Sequence, residues 1–159
     1  MPERIIDLAG YITVALSARV RDPGGRWRAL GVLARHALTD AYAAHLVQVM
    51  LGATTHGAFH YHDTGTGQTA EATTDTALET PCGEARDTGT RVLGANARQY
   101  VTVATHTYAA AFTIMEHGVF SAATAGTLLD RSVFADNPAT VVLGGQVEWT
   151  YTLTVTAGG

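Results

Sequence analysis

Residues 147–156 read VEWTYTLTVT, and this stretch decides the fold. Apolar and polar side chains alternate along its whole length. The apolar positions are Val147, Trp149, Tyr151, Leu153 and Val155, and the polar positions are Glu148, Thr150, Thr152, Thr154 and Thr156. A period of two residues is typical of a β-strand that lays one face on a core. The stretch therefore predicts an antiparallel β class, but no reactive group accompanies it and it names no reaction.

Further strands are predicted upstream of this one. Alternation or short apolar runs indicate strands from Ile5 to Val20 and over residues 27–38, 59–62, 99–107, 112–120, 127–134 and 141–143. The sequence DPGG at residues 22–25 is a strong turn signal, which favours a hairpin between the first two strands. Many short strands separated by turns are typical of an antiparallel β-sandwich or jelly roll.

One short α-helix is predicted at about residues 39–51. Thr39 is a suitable N-cap, and Asp40 lies where the positive end of the helix dipole favours an acid. Gly52 is a natural stop. The apolar residues in between recur at helical spacing, at Tyr42, Leu46, Val49 and Met50.

The length of 159 residues favours a single β-sandwich-like domain. Within it, residues 63–94 form a long excursion rich in Thr, Gly, Asp and Glu. A stretch of this length without strong periodicity is unusual in a compact domain. We interpret it as a loop with at most one short strand that contacts another subunit, the alternative being a mobile surface loop.

The composition excludes several classes of function. The chain has a net charge of -4, and its ten cations form no basic stripe, so direct binding to nucleic acid is not expected. The one cysteine, Cys82, excludes an intrachain disulfide and a cysteine-based zinc site. No apolar run reaches the roughly 20 residues of a membrane helix, and the first residues do not read as a signal peptide. We therefore expect a soluble product made in a cytoplasm.

His60 and His62 are the sharpest candidates for a chemical site. On a strand they point to the same side and can chelate a metal, as in metal-dependent enzymes with a jelly-roll fold. Those sites place a glutamate a few residues later, whereas the next glutamate here is Glu71, beyond a glycine-rich turn. Hydrogen-bonded surface histidines at a strand end are the favoured alternative.

The other candidate motifs favour structural interpretations. The sequence GTG at residues 65–67 resembles part of a phosphate loop, but the chain has no lysine to follow it, so a tight turn explains the glycines. The loose acidic cluster Asp75, Glu79, Glu84 and Asp87 lacks the spacing of a calcium loop, which favours a solvated face. Glu116 and His117 are adjacent on a strand, so they point to opposite faces and cannot form a dyad.

Two stretches resemble a known family. They are residues 60–78 (HYHDTGTGQTAEATTDTAL) and residues 116–134 (EHGVFSAATAGTLLDRSVF), the latter followed by the threonine-rich last strand. They are similar to a family of small proteins encoded among the virion structural genes of tailed bacteriophages. The second stretch is also similar to a hairpin of phage tail and baseplate β-domains. The resemblance covers roughly the last two thirds of the chain.

The resemblance implies a non-enzymatic virion structural protein without a cofactor. A capsid decoration (cement) protein is the first expectation: a homo-oligomer, with a trimer favoured, that binds the major capsid protein and stabilises the head. A tail, baseplate or connector component is the alternative. The β-sandwich fold by itself adds a host-surface or glycan-binding module as a further alternative. The expected contact residues are Ile5, Ile6, Asp63, Asp75 and Asp87.

The physical character of the chain agrees with such a role. Only 15% of the residues are charged, against roughly 25% in typical soluble domains. Lysine and proline, which usually protect sheet edges, are absent from the last strand. This leaves room for the strand to pair through its edge or to be buried in an assembly, and we expect its threonine face to be partly covered by another copy.

Overall fold

Two antiparallel sheets face each other across the core of the molecule. The computed structural model describes residues 11–36 and 38–157. It is mainly β, with 47% of residues in strands and 8% in helix. The strands are β1 (Tyr11–Arg21), β2 (Arg28–His36), β3 (Tyr61–Gly65), β4 (Asp87–Thr88), β5 (Thr90–Leu93), β6 (Gln99–Thr107), β7 (Phe112–Ile114), β8 (Glu116–Phe120), β9 (Leu128–Val133), β10 (Ala139–Val141) and β11 (Gln146–Thr156). The helix is α1 (Asp40–Met50).

The first sheet has five strands in the order β2-β1-β11-β6-β5. Strand β11, which contains the stretch from which the fold was predicted, pairs with β1 from Tyr11↔Thr156 to Arg21↔Gln146. On its other side it pairs with β6. Pairing of the last strand through a free edge, one of the two predicted possibilities, is therefore wrong, because both of its edges are hydrogen-bonded within the chain. Among the described strands, β2 and β5 form the two edges of this sheet.

The second sheet has four strands in the order β4-β3-β8-β9, and β10 and β7 form a separate pair. The predicted strand over residues 112–120 is two strands, since β7 and β8 belong to different sheets. The chain changes sheet at Met115, whose N–H donates to Gly65 and whose carbonyl accepts from Phe134. The predicted hairpin is confirmed for β8 and β9, which pair with a bulge after Val119.

The core lies between the facing sheets. From β11 it receives Val147, Trp149, Tyr151 and Leu153, all of them buried. Full burial of one large apolar side chain contributes about 1.5–3 kcal/mol. The fifth apolar residue of the pattern, Val155, is 45% exposed, because it lies at the open end of the sandwich.

The predicted helix is confirmed with slightly shorter bounds. Its N-cap is Thr39, whose Oγ1 accepts a hydrogen bond from Tyr42 N at 3.2 Å and donates to the Leu128 carbonyl at 2.6 Å. This side chain therefore both starts the helix and holds it to the beginning of β9. Tyr42 is buried, but Met50 is 86% exposed, so the apolar face narrows toward the helix end. No helix within the described ranges has the length and apolarity that a membrane span needs.

The excursion over residues 63–94 begins within β3 and contains two further short strands, one more than predicted. Strand β4 pairs with β3 in the second sheet, and β5 pairs with β6 in the first. Only Gly89 separates them, so this segment passes directly from one sheet to the other. A Cβ on Gly89 would lie 2.3 Å from Thr102 Oγ1 and 2.8 Å from His62 Nε2, which explains the glycine at the crossing.

Candidate functional site

A histidine pair lies inside the sandwich. His62 Nδ1 and His117 Nε2 are 2.9 Å apart, and His62 Nε2 is 3.0 Å from Thr102 Oγ1. His62 comes from β3, His117 from β8 and Thr102 from the opposite sheet, so this chain of contacts bridges the two sheets. The His117 ring also packs against Trp149, with 5.1 Å between the ring centroids.

Burial keeps both imidazoles neutral. Burial, with a smaller contribution from His60, lowers the pKa of His62 to about 3. Burial and the neighbouring His62 lower the pKa of His117 well below its ordinary value. His117 Nδ1 has no partner among the described residues, and an unpaired acceptor is less costly than an unpaired N–H. We therefore assign the protons so that His117 Nε2–H donates to His62, and His62 Nε2–H donates to Thr102.

This arrangement changes the interpretation of His60 and His62. His62 is only 2% exposed, so the expected surface position is wrong for it, because the first sheet covers the inner side of β3. Both of its ring nitrogens already have protein partners. His60 precedes the strand, and its ring packs against the ring of Tyr61, with 4.6 Å between the ring centroids. Within residues 11–36 and 38–157, no group of three or more potential metal ligands converges.

A buried carboxylate organises the outer side of the second sheet. Glu116 has no exposed surface, and each of its oxygens accepts two hydrogen bonds. Oε1 accepts from Thr80 N at 2.7 Å and Gly67 N at 3.1 Å. Oε2 accepts from Arg131 Nε at 2.8 Å and Glu79 N at 3.0 Å. The carboxylate therefore holds two separate points of the 63–94 excursion against the sheet.

Arg131 extends the same network. Its Nη1 donates to Asp75 at 3.0 Å, and its Nη2 donates to the Thr69 carbonyl at 3.1 Å and to Glu79 at 3.3 Å. Burial disfavours its charge, but the hydrogen bonds with Glu116 and Asp75 outweigh burial and raise its pKa. Asp75 and Glu79 are therefore partners of a buried cation. The prediction of a solvated acidic face fits Glu79, whose side chain is 40% exposed, better than Asp75, whose side chain is 24% exposed.

The glycines of the GTG motif have a packing role. A Cβ on Gly67 would lie 2.7 Å from both Glu116 Oε1 and Glu79 Cβ, and one on Gly65 would lie 2.3 Å from Glu116 Oε1. Neither glycine has a positive φ. Residues 65–67 also form no turn, so the tight-turn explanation is wrong. These positions need glycine because the backbone lies directly on the buried carboxylate.

The other half of the acidic cluster surrounds His106. The ring contacts Asp87 through Nδ1 and Glu84 through Nε2, and Glu84 also accepts a hydrogen bond from Ala109 N at 2.8 Å. Burial disfavours the imidazolium, but the hydrogen bonds with Asp87 and Glu84 prevail and raise the pKa of His106. Glu84 and Asp87 thus fasten the second half of the excursion to β6.

Arg86 makes the third fastening. Its Nε donates to Asp63 at 3.0 Å, and its Nη1 donates to the Ala125 carbonyl at 2.6 Å. The guanidinium lies 3.4 Å from the centroid of the Phe120 ring, which adds a cation–π contact. This side chain ties the excursion to the turn of the β8–β9 hairpin.

The structure thus gives each predicted contact aspartate an internal partner. Asp63 binds Arg86, Asp75 binds Arg131, and Asp87 binds His106. Ile5 and Ile6 lie outside the described residues. The sequence motifs did not predict the network of Glu116 and Arg131. A signal for it is nevertheless present, because both are charged residues inside otherwise apolar strand patterns.

Burial of Cys82 disfavours nucleophilic chemistry at its thiol. Burial raises the pKa of its thiol to about 11, so the thiol is protonated at neutral pH and weakly nucleophilic.

Glu116 and His117 point to opposite faces of β8, as predicted, and take part in different networks. The arrangement as a whole binds the excursion to the sandwich.

Comparisons with known proteins gave no match to any protein-family model, curated protein or solved structure.

Proposed function

We propose that this chain is a non-enzymatic structural protein of a bacteriophage virion, and specifically a capsid decoration protein. It would bind copies of itself, as a trimer, and the major capsid protein, and so stabilise the head. The resemblance of residues 60–78 and 116–134 to phage virion proteins suggests the class. The physical support comes from how the excursion over residues 63–94 is held.

The observation that carries the proposal is the fastening of this excursion by buried ionic contacts. Glu116 and Arg131 are both buried, and Arg86 and His106 hold two further points. Long loops are usually mobile, whereas this one is fixed at three places. A loop held in one shape can meet a partner without a large loss of conformational entropy, which suits a protein whose task is to cover and brace a shell.

The decisive experiment is electron cryo-microscopy of phage particles that contain the protein and of particles that lack it. We expect density in many symmetric copies on the head. We also expect heads without the protein to lose their DNA at a lower temperature. Glu116→Gln is a useful additional variant, because it should loosen the excursion and weaken attachment, whereas the exposed-loop variant Gln68→Ala should attach normally.

Three outcomes would argue against decoration. A few copies at one vertex or along the tail would favour the tail, baseplate or connector alternative. Absence from purified particles would exclude a virion role. Stoichiometric metal in the purified protein that is lost in His62→Ala would favour a metal-dependent enzyme.

A further inference from the structure

A cavity of about 260 Å³ lies at the open end of the sandwich. Its walls come from separate elements: Tyr42 from α1, Leu129 from β9, Tyr100 from β6, Leu153 from β11, and Phe59 from the segment before β3. All of these side chains except Tyr100 are buried. The cavity therefore reaches into the core between the helix and the two sheets. We call it the end cavity.

Hydrogen bonds fix the aromatic walls of the end cavity. The Tyr42 hydroxyl and His56 Nε2 are 3.1 Å apart, and the Tyr100 hydroxyl donates to the Phe59 carbonyl at 2.6 Å. The rings of Tyr42 and Phe59 pack edge to face, with 4.9 Å between their centroids. Sites for small molecules are usually preformed and mostly apolar, with a few polar groups. The end cavity is built in this way.

The size and lining of the end cavity limit what it can hold. A dry protein cavity of about 150 Å³ holds benzene, so 260 Å³ accepts one aromatic ring with a short side chain. Three of the lining side chains, Tyr42, Phe59 and Tyr100, are themselves aromatic. They favour a ring over an aliphatic chain, because contacts between aromatic rings add to the free energy of burial.

Arg91 gives the end cavity a positive charge. Arg91 lines the cavity and is exposed, and in the ranges 11–36 and 38–157 it forms no ion pair. Its field reaches the neighbouring residues: burial lowers the pKa of His60, and the charge of Arg91 lowers it further. None of the described lining residues is acidic. A guanidinium binds a carboxylate through two parallel hydrogen bonds, so a ligand carboxylate would complement this charge.

We propose that the end cavity binds a small aromatic carboxylate, that is, one aromatic ring with a carboxylate on a short side chain. The ring packs among Tyr42, Phe59 and Tyr100, and the carboxylate accepts hydrogen bonds from Arg91. The inference does not rest on the proposed function, and it assigns no reaction to the site.

Titration of the full chain with phenylpropionate, followed in amide NMR spectra, tests this inference. We expect saturable shift changes at the amides of Gly57, Ala58 and Arg91, with a dissociation constant on the order of 1 mM. Hexanoate carries the same carboxylate on an aliphatic chain and should bind several-fold more weakly.

Two arginine variants isolate the contribution of charge. Arg91→Gln should weaken the binding of phenylpropionate about fivefold and leave the binding of the uncharged phenylpropionamide unchanged. Arg98→Gln is the matched control, because Arg98 lines the neighbouring groove beside Leu93 and does not line the end cavity. At physiological salt, which screens distant charges, this variant should bind like the wild type.

Several results would overturn the inference. One is the absence of saturable shifts up to about 10 mM phenylpropionate, and another is a set of shifts centred on other residues. Equal binding of hexanoate would exclude an aromatic site. Equal losses in Arg91→Gln and Arg98→Gln, or an equal loss for the uncharged amide in Arg91→Gln, would exclude recognition of the carboxylate by Arg91.

Discussion

At Glu116, four donors converge on a carboxylate that has no contact with solvent. Since each oxygen accepts two N–H groups, an amide would place its own N–H₂ against two donors in either orientation. We therefore expect Glu116→Gln to lower the free energy of unfolding by about 3 kcal/mol, measured from urea unfolding curves.

The surface pair Arg19–Glu148 supplies the control for this change. It joins β1 to β11 on the outer face of the first sheet, with 2.8 Å between Arg19 Nε and Glu148 Oε1, and water can replace either partner. Glu148→Gln should therefore cost far less than Glu116→Gln. Equal losses from the two substitutions would contradict the structural role of the buried carboxylate.

The histidine pair makes the fold sensitive to acid. Unfolded histidine binds a proton near pH 6.5, whereas folded His62 does so only near pH 3. In that window the unfolded state binds more protons, so the free energy of unfolding falls as pH falls. Each such group contributes a slope of about 1.4 kcal/mol per pH unit. We expect His117→Leu to remove part of this slope, measured from urea curves between about pH 7 and pH 4.

Asp130 has the opposite effect on how the free energy of unfolding depends on pH. The pH curve of His117→Leu must therefore be compared with that of the wild type. Burial raises its pKa to about 7, against a smaller opposing effect of Ser132. The folded state therefore holds this proton in a range where the unfolded state has lost it, and stability falls as pH rises through that range. Parallel pH curves for wild type and His117→Leu would contradict the assignment of a neutral His117.

At the scale of elements, the fastening of the excursion depends on close approaches of the backbone to Glu116, of which the one at Gly67 is the easier to test. A methyl group on Gly67 would collide with both Glu116 and Glu79, so Gly67→Ala should separate the excursion from the sheet. We expect faster hydrogen exchange at the Glu79 and Thr80 amides, which donate to Glu116, and earlier cleavage by a protease at Arg86.

Gly57→Ala is the matched substitution. Its added Cβ would meet only Ser121 Cβ at 3.8 Å, an ordinary contact distance. This variant should exchange and cleave like the wild type. If Gly67→Ala left the exchange of both amides unchanged, the excursion would not depend on the close packing at that glycine.

Element positions could be predicted largely from local pattern, and pairing partners could not. Alternation in residues 147–156 predicted a strand with one buried face, and the structure confirms it through Leu153. The same pattern could not reveal that β1 and β6 occupy both edges, because partner choice depends on distant segments. Likewise, nothing local separates β7 from β8 at Met115, where the hydrogen bonds go to Gly65 and Phe134.

The polar networks were harder to predict for the same reason. His62 was predicted to act together with His60, its near neighbour in the sequence. Its partners are instead His117 and Thr102, which lie 55 and 40 residues away. The acidic residues of the excursion were predicted to face solvent. The cations that they contact lie in β6 and β9, outside the excursion, so the local sequence gave no sign of them. Adjacency on a strand did predict correctly that Glu116 and His117 face opposite sides.

At the scale of the molecule, we propose the outer face of the first sheet as the surface for self-association. It carries Thr150, Thr152 and Thr154 of β11, which are half-buried between the neighbouring strands. We expect Thr152→Arg to reduce the oligomer measured by analytical ultracentrifugation while leaving the urea midpoint nearly unchanged. Thr88→Arg, an exposed change on the second sheet, is the control, and identical sedimentation of both variants and wild type would argue against this surface.

The direct passage between the sheets at Gly89 has a mechanical consequence. A single residue spans only about 3.5 Å, so it leaves almost no slack for one layer to slide over the other. Under lateral load the covalent chain, in addition to side-chain packing, would resist displacement at this border. Under such a load the first sheet should therefore lose β2 first, because this edge strand lies farthest from Gly89.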